Sequence, residues 1–233
     1  METDTAHLDT LTFKVDGTHA VSGLLRVPAN AVACYVVAHG AGAGMTHPFM
    51  AAVADGLAER RIATLRYQFP YMERGSRRLD GPALAHATVR AAVAAAARLA
   101  PSLPLVAGGK SFGGRMTSQA QAEAPLPGVR GLAFLGFPLH PANKPSDDRA
   151  KHLSEVRVPM LFLQGTRDAL AAMRLLAPVI ERLGDMAALA PVLDADHAFH
   201  VPVRSGRTDM QALAEALDTL AAWIRRVARR DPG

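Results

Sequence analysis

The chain has 233 residues, 49% hydrophobic and 20% charged, with a formal net charge of +5. That length and balance suit one α/β domain with a full core and exclude a disordered chain. The single cysteine, Cys34, excludes an internal disulfide and fits a reducing compartment, and no apolar run reaches the roughly 18 residues that a membrane span needs.

In chain order, Thr10 to Asp16 alternates apolar and polar residues and reads as a strand. Asp16-Gly17 is a hairpin signal, and His19 to Val27 returns as the partner strand. Val32 to Ala38 is an unbroken apolar run, a strand buried on both faces, and Cys34 reads as plain core within it. Pro48 to Arg60 has helical periodicity and Ile62 to Tyr67 is the next strand. Gly81-Pro82 opens an alanine-rich helix to about Ala100. Leu103 to Gly108 is a strand, and Met116 to Glu123 reads as helix. Strands follow at Gly131 to Phe137 and Met160 to Gln164, then a helix from Leu170 to Leu183. A strand from Ala187 to Leu193 and a helix from Met210 to Val227 close the chain. A hairpin followed by alternating β and α units implies one mostly parallel sheet with helices on both faces, in a single domain spanning 1–233. The insertion from Pro138 to Arg157 holds Pro141, Pro145 and a charged run, with room for one short helix. A minimal lid and an open active site are expected.

The stretch Leu105-Val-Ala-Gly-Gly-Lys-Ser-Phe-Gly-Gly-Arg115 carries the most chemistry. A strand runs into Gly109-Lys-Ser-Phe-Gly113 and a helix follows, the pattern of a nucleophile elbow. Gly109 and Gly113 lack Cβ atoms, so strand and helix can approach each other and leave the Ser111 hydroxyl exposed at the turn. Phe112 N–H, at the helix start, points toward any oxyanion that forms. Gly109-Lys110-Ser111 also ends a phosphate-binding loop pattern, but Pro104 stands where that loop's first glycine belongs. The remaining reading is a plain strand-to-helix turn that happens to hold a serine.

Two further residues fall at the same edge of the sheet. Asp168 ends Gln164-Gly-Thr-Arg-Asp168 after an apolar strand, and His197 ends Asp194-Ala-Asp-His197 after another. A neutral His197 imidazole would take the Ser111 proton, with Asp168 holding the other ring nitrogen. The bland reading of Asp168 is a cap for the helix near Leu170. Asp196 adjoins His197 and shapes its loop. His200 is the rival base, or else lines the pocket. His39-Gly-Ala-Gly-Ala-Gly44 supplies the second oxyanion donor, Ala41 N–H first and Gly42 next, while His39 reads as a structural hydrogen-bonding residue. Met45, Phe69, Tyr71, Phe137 and Leu139 are the pocket candidates. Lys110 and Arg115 stand near the nucleophile as possible attractors of an anionic substrate, Arg115 more simply as a structural salt bridge.

Other chemistries find no support. The nine histidines show no metal spacing, so no metal is expected. The glycine loop fails the dinucleotide pattern, because Arg66 and Tyr67 stand where an acidic ribose partner belongs, so no cofactor is expected. Arg74-Gly-Ser-Arg-Arg78 and Arg225-Arg-Val-Ala-Arg-Arg230 are basic clusters. With three tyrosines and one tryptophan to stack on bases, they read as solvated surface and not as a nucleic-acid site. Met1-Glu-Thr-Asp-Thr5 lacks the basic and apolar regions of a signal peptide, so a cytoplasmic protein with no membrane partner is expected. Oligomeric state is not legible.

His39-Gly-Ala-Gly-Ala-Gly44, Arg66-Tyr-Gln-Phe-Pro-Tyr71, Gly109-Lys-Ser-Phe-Gly-Gly-Arg115, Phe137-Pro-Leu-His140, Gln164-Gly-Thr-Arg-Asp168 and Asp196-His197 form a series over nearly the whole chain. The series resembles that of small α/β-hydrolases of the dienelactone-hydrolase-like kind. The resemblance implies the α/β-hydrolase fold and a Ser111, Asp168, His197 triad cleaving an ester or thioester of a small substrate. True dienelactone hydrolases use a cysteine nucleophile, and Ser111 stands there instead. Animal relatives of the family include a subunit of a histone-acetyltransferase complex, so a non-catalytic scaffold that keeps the fold is the alternative.

Overall fold

A computed structural model describes residues 7–229. The Met1-to-Thr5 stretch and Arg230 of the second basic cluster, both considered above, lie outside the described residues. The chain forms strands β1 (His7–Lys14), β2 (Ala20–Val27), β3 (Ala33–Ala38), β4 (Ile62–Tyr67), β5 (Leu105–Lys110), β6 (Val129–Leu135), β7 (Met160–Gly165) and β8 (Ala187–Val192). Its α-helices are α1 (Pro48–Glu59), α2 (Pro70–Glu73), α3 (Pro82–Leu99), α4 (Phe112–Glu123), α5 (Met173–Leu183) and α6 (Asp209–Ala228).

One sheet contains all eight strands in the order β1-β2-β4-β3-β5-β6-β7-β8. The β1–β2 and β2–β4 pairs are antiparallel and the rest are parallel. Every residue of β3, β4 and β7 is buried, as central strands covered on both faces must be. One face packs α3, α4 and α5 through residues such as Val89, Met116 and Leu176 around Phe134 and Phe162. The other packs α1 and α6 through Val53, Leu57, Leu217 and Trp223 against Val37 and Leu135. Each large aliphatic side chain buried this way contributes about 1.5–3 kcal/mol. Cys34 lies wholly within the core, and burial pushes its thiol up to about 12, so it is inert.

The topology places the site. β3 runs between β4 and β5, so the chain leaves β3 toward α1 on one face and β5 toward α4 on the other. The crevice opened at such a switch point lies at the carboxyl ends of the strands. The loops after β3, β5, β7 and β8 all meet there.

Several boundaries differ from the sequence reading. The first hairpin has no two-residue turn: Val15 N–H bonds His19 O at 2.8 Å, and the Asp16 carboxylate accepts from the Thr18 and His19 N–H groups. Asp16 thus closes a wider loop and needs no left-handed glycine. Helix α4 starts at Phe112, four residues earlier than its composition suggests, because the Gly113-Gly114 pair lies against β3 and β5. α5 starts at Met173, since the segment from Asp168 to Ala171 is a turn held by the Asp168 backbone and side chain. A one-turn helix, α2, follows Phe69 where no periodicity announced it. The insertion after β6 holds one 3-10 helix, Asp148–Glu155, packed against α4 and α5.

Candidate active site

Ser111 sits between β5 and α4 with φ 51° and ψ −116°, a left-handed backbone that costs a non-glycine residue on the order of 1–3 kcal/mol. The surroundings hold it there. Ser111 N–H bonds Leu135 O at 3.3 Å, and Arg115 N–H bonds Ser111 O at 3.1 Å. The elbow closes because two glycines permit it: a Cβ on Gly113 would lie 2.5 Å from His39 O, and one on Gly109 2.5 Å from Ala38 O.

His197 lies in the loop after β8. Its Nε2 is 2.8 Å from Ser111 Oγ and its Nδ1 2.7 Å from Asp168 Oδ2. With Nδ1–H donating to the carboxylate, Nε2 carries the lone pair that accepts from the serine hydroxyl. The Asp168 side chain is fully buried. It accepts two further hydrogen bonds, from Gln164 Nε2 at 2.5 Å and Leu170 N–H at 2.7 Å. Gln164 Oε1 in turn accepts from Phe137 N–H at 2.9 Å, which ties the carboxylate to the end of β6. Asp196 shapes the loop, as expected: its Oδ1 accepts from the N–H groups of Ala198 and His200. So Ser111, His197 and Asp168 meet, although 86 residues separate the first pair and 29 the second.

Phe112 opens α4, so its N–H is among those that the helix's own ladder leaves unpaired. Ala41 borders the same cleft as Ser111, and its N–H makes no hydrogen bond among the described residues. Gly42 is excluded as the alternative donor, because its N–H is taken by Tyr71 Oη at 3.0 Å.

His39 is structural. Its Nδ1–H donates to Gly40 O at 2.7 Å and its Nε2 accepts from Phe69 N–H at 3.2 Å. Burial against Phe69 and Tyr71 pushes its pKa down to about 4, so the ring is neutral at neutral pH. Tyr71 N–H is held by the buried Asp80 carboxylate at 2.9 Å, and Arg74 pairs with the other carboxylate oxygen at 2.7 Å. The loop after β3 and the segment after β4 are thus laced together.

The cleft beside Ser111 measures about 320 Å³. Beyond the glycine loop, its walls are His47, Phe49, Met50, Lys110, Leu170 and Ala198. The six pocket residues expected from the sequence do not line it. Phe69 and Tyr71 pack around His39 and Phe112, and Phe137 packs with Phe134 and Phe162. Leu139 and Met45 are buried in the fold. His200 points into solvent and pairs with Asp209 at 2.9 Å. The reason is that large rings following a strand recover more free energy against the sheet than at an open rim. The wall comes instead from the first turn of α1, whose entry is fixed by Pro48 and by His47 Nδ1 accepting from Phe49 N–H. Arg115 departs from expectation too. It has no carboxylate partner among the described residues, and its guanidinium lies 6.0 Å from the Phe112 ring centre. Sequence reasoning gave Gln164 no role, although a polar residue near the end of an otherwise apolar strand was a signal for it.

Among the described residues no three His, Cys, Asp or Glu side chains are grouped to hold a metal ion, and no helix is long and apolar enough to cross a membrane. Comparison with known proteins agrees with the fold. The model of a family described as "Alpha/beta hydrolase domain" matches residues 31–225. A dienelactone hydrolase from Anabaena variabilis superposes with a TM-score of 0.78 at 22% identity, covering 96% of this chain and 99% of that one. A lidless α/β serine hydrolase from Xanthomonas campestris gives a TM-score of 0.71 at 20% identity, covering 97% of each chain. The esterase domain of a Rhodothermus marinus protein gives 0.71 at 16% identity, covering 94% and 98%.

Proposed function

Since this chain belongs to the α/β-hydrolase domain family, we propose that it is a serine hydrolase cleaving esters or thioesters of small substrates through an acyl-enzyme. The observation that carries the proposal is the continuous relay from Ser111 Oγ through His197 to Asp168, opening on a cleft. A serine hydroxyl alone is a weak nucleophile. Accepting its proton at Nε2 lets Oγ attack the substrate carbonyl carbon, and the carbonyl π electrons move onto oxygen. Asp168 stabilises the imidazolium that forms without taking its proton. The N–H groups of Phe112 and Ala41 receive the oxyanion, each worth on the order of 100-fold in rate. The tetrahedral adduct collapses, His197 gives its proton to the departing alcohol or thiol, and the acyl group stays on Ser111. Water then attacks the acyl carbon with His197 again as base, and the acid leaves.

A cleft of about 320 Å³ is at the small end for ligand sites, which suits a short acyl or alcohol group. This favours a small-molecule substrate. A cytoplasmic location is part of the same proposal and rests on the one free cysteine. The test is hydrolysis of p-nitrophenyl esters and acyl-CoA thioesters, with fluorophosphonate labelling, by the wild type and Ser111→Ala. The expected result is turnover and labelling that vanish in a well-folded Ser111→Ala protein. A wild type that neither turns over nor labels would instead support a scaffold role.

A further inference from the structure

Lys110 is the last residue of β5 and the neighbour of Ser111. Among the described residues that line the cleft, it is the sole Lys, Arg, Asp or Glu. Its ammonium turns inward and donates a hydrogen bond to the backbone carbonyl of His197. The Phe49 and Phe199 rings stand 5.7 and 5.4 Å from Nζ, and no carboxylate of the described residues lies within ion-pair reach of it. Gly136 makes the room: it sits at φ +70°, and a Cβ there would come within 2.9 Å of Nζ.

A lysine in this position is costly. Burial pushes its pKa down to about 8, against the opposing pull of Asp168 and Asp196. An apolar chain of the same length would fill the space without that cost. What the ammonium adds is a charge-assisted hydrogen bond, roughly twice as strong as a neutral one. It joins the residue beside the serine to the main chain that carries the imidazole. Asp196 braces the His197 loop from within. Lys110 is the brace from the sheet.

We propose that Lys110 is a positioning residue: its ammonium fastens the His197 backbone to the end of β5 and thereby sets the imidazole against the Ser111 hydroxyl. The kinetic consequence rests on the serine-hydrolase reading; the structural one does not. The groups facing the ammonium are Asp168 from the loop after β7 and Asp196 and His197 from the loop after β8, and His47 lines the same cleft. Loss of its proton in mildly alkaline solution weakens the tether, so kcat falls there in the wild type.

The experiment compares wild type, Lys110→Met and Lys110→Arg. It reads kcat and KM on a p-nitrophenyl ester from neutral to alkaline pH, the fluorophosphonate labelling rate, and the downfield proton resonance of His197 Nδ1–H. Lys110→Met should lower kcat about 100-fold, the cost of a displacement near 1 Å, with KM nearly unchanged, no alkaline limb and a broadened imidazole proton. Lys110→Arg should recover part of kcat and shift the limb upward, because guanidinium keeps its charge. Wild-type kcat, pH profile and imidazole resonance in a folded Lys110→Met protein would overturn the proposal. So would a fall in melting temperature with kcat and resonance unchanged. If Lys110→Met does not fold, an unshifted limb in Lys110→Arg overturns it. If the wild type shows neither turnover nor labelling, the hydrolase reading fails, and the Nδ1–H resonance still decides the tether.

Discussion

Two histidines stand at the carboxyl edge of this sheet and do opposite things. His39 is fully buried, and both its ring nitrogens are spent on backbone groups, Gly40 O and Phe69 N–H. His197 leaves a quarter of its side chain open to the cleft, and its nitrogens meet two side chains, the Asp168 carboxylate and the Ser111 hydroxyl. His39, whose pKa burial pushes down to about 4, is the structural one. A displaced pKa therefore marks burial as readily as chemistry. What separates the two rings is partner type and access: an ionisable relay with an open side, against a closed ring of amides.

The largest effect should come from removing the relay ring. His197→Ala should cut turnover by on the order of 10⁴-fold or more, leaving what the oxyanion donors and binding supply. His200→Ala should change kcat by no more than about 3-fold, since the His200 ring is exposed and paired with Asp209 rather than Ser111. Steady-state kinetics on both variants checks this, and a dead His200→Ala protein would reverse the assignment.

The structural ring should show itself in stability instead. In the unfolded chain His39 titrates near 6.5, and in the folded protein near 4. Between those values the unfolded state holds more protons, so stability falls as pH drops from about 6.5 to about 4 and flattens below. The size for His39 is on the order of 3 kcal/mol. His152, lowered to about 4 by burial and by the nearby Arg115 and His86 charges, adds a loss of the same sign. Urea unfolding across this range should give a shallower acid loss for His39→Gln than for wild type. Equal slopes would show that His39 does not carry the linkage.

The smallest expected effect concerns the open side of His197. No residue of the insertion between β6 and β7 lines the cleft, so no cover needs to be displaced. Ester hydrolysis should rise smoothly through the critical micelle concentration of its substrate. An abrupt increase there would reveal a closed form that blocks His197.

Sequence reading recovers what repeats locally and loses what the loops decide. The apolar runs of β3 and β7 have no alternative but a doubly covered sheet, and Gly109 and Gly113 bracket a turn that few other residues permit. The edge positions of Asp168 and His197 followed from where their strands end. The pocket did not follow, because Phe69, Tyr71 and Phe137 point wherever the packing of three segments sends them. The wall built by Phe49 and Met50 depends on the entry angle of α1. Gln164 and Lys110 carried no periodic signal, since each is a single polar residue whose meaning lies in a partner 27 or 87 positions away.

The lacing between the loop after β3 and the segment after β4 has a practical corollary. His39 grips Phe69, Tyr71 grips Gly42, and Gln68 grips Met45. Three stitches make residues 39–45 and 68–80 one exchangeable module. Transplanting the glycine loop alone from a relative would leave three polar groups without partners, while moving both pieces together would carry the seam along. In recombination libraries, crossovers belong outside residues 39–80, before β3 or within α3, and not in α1, which lies between the two pieces.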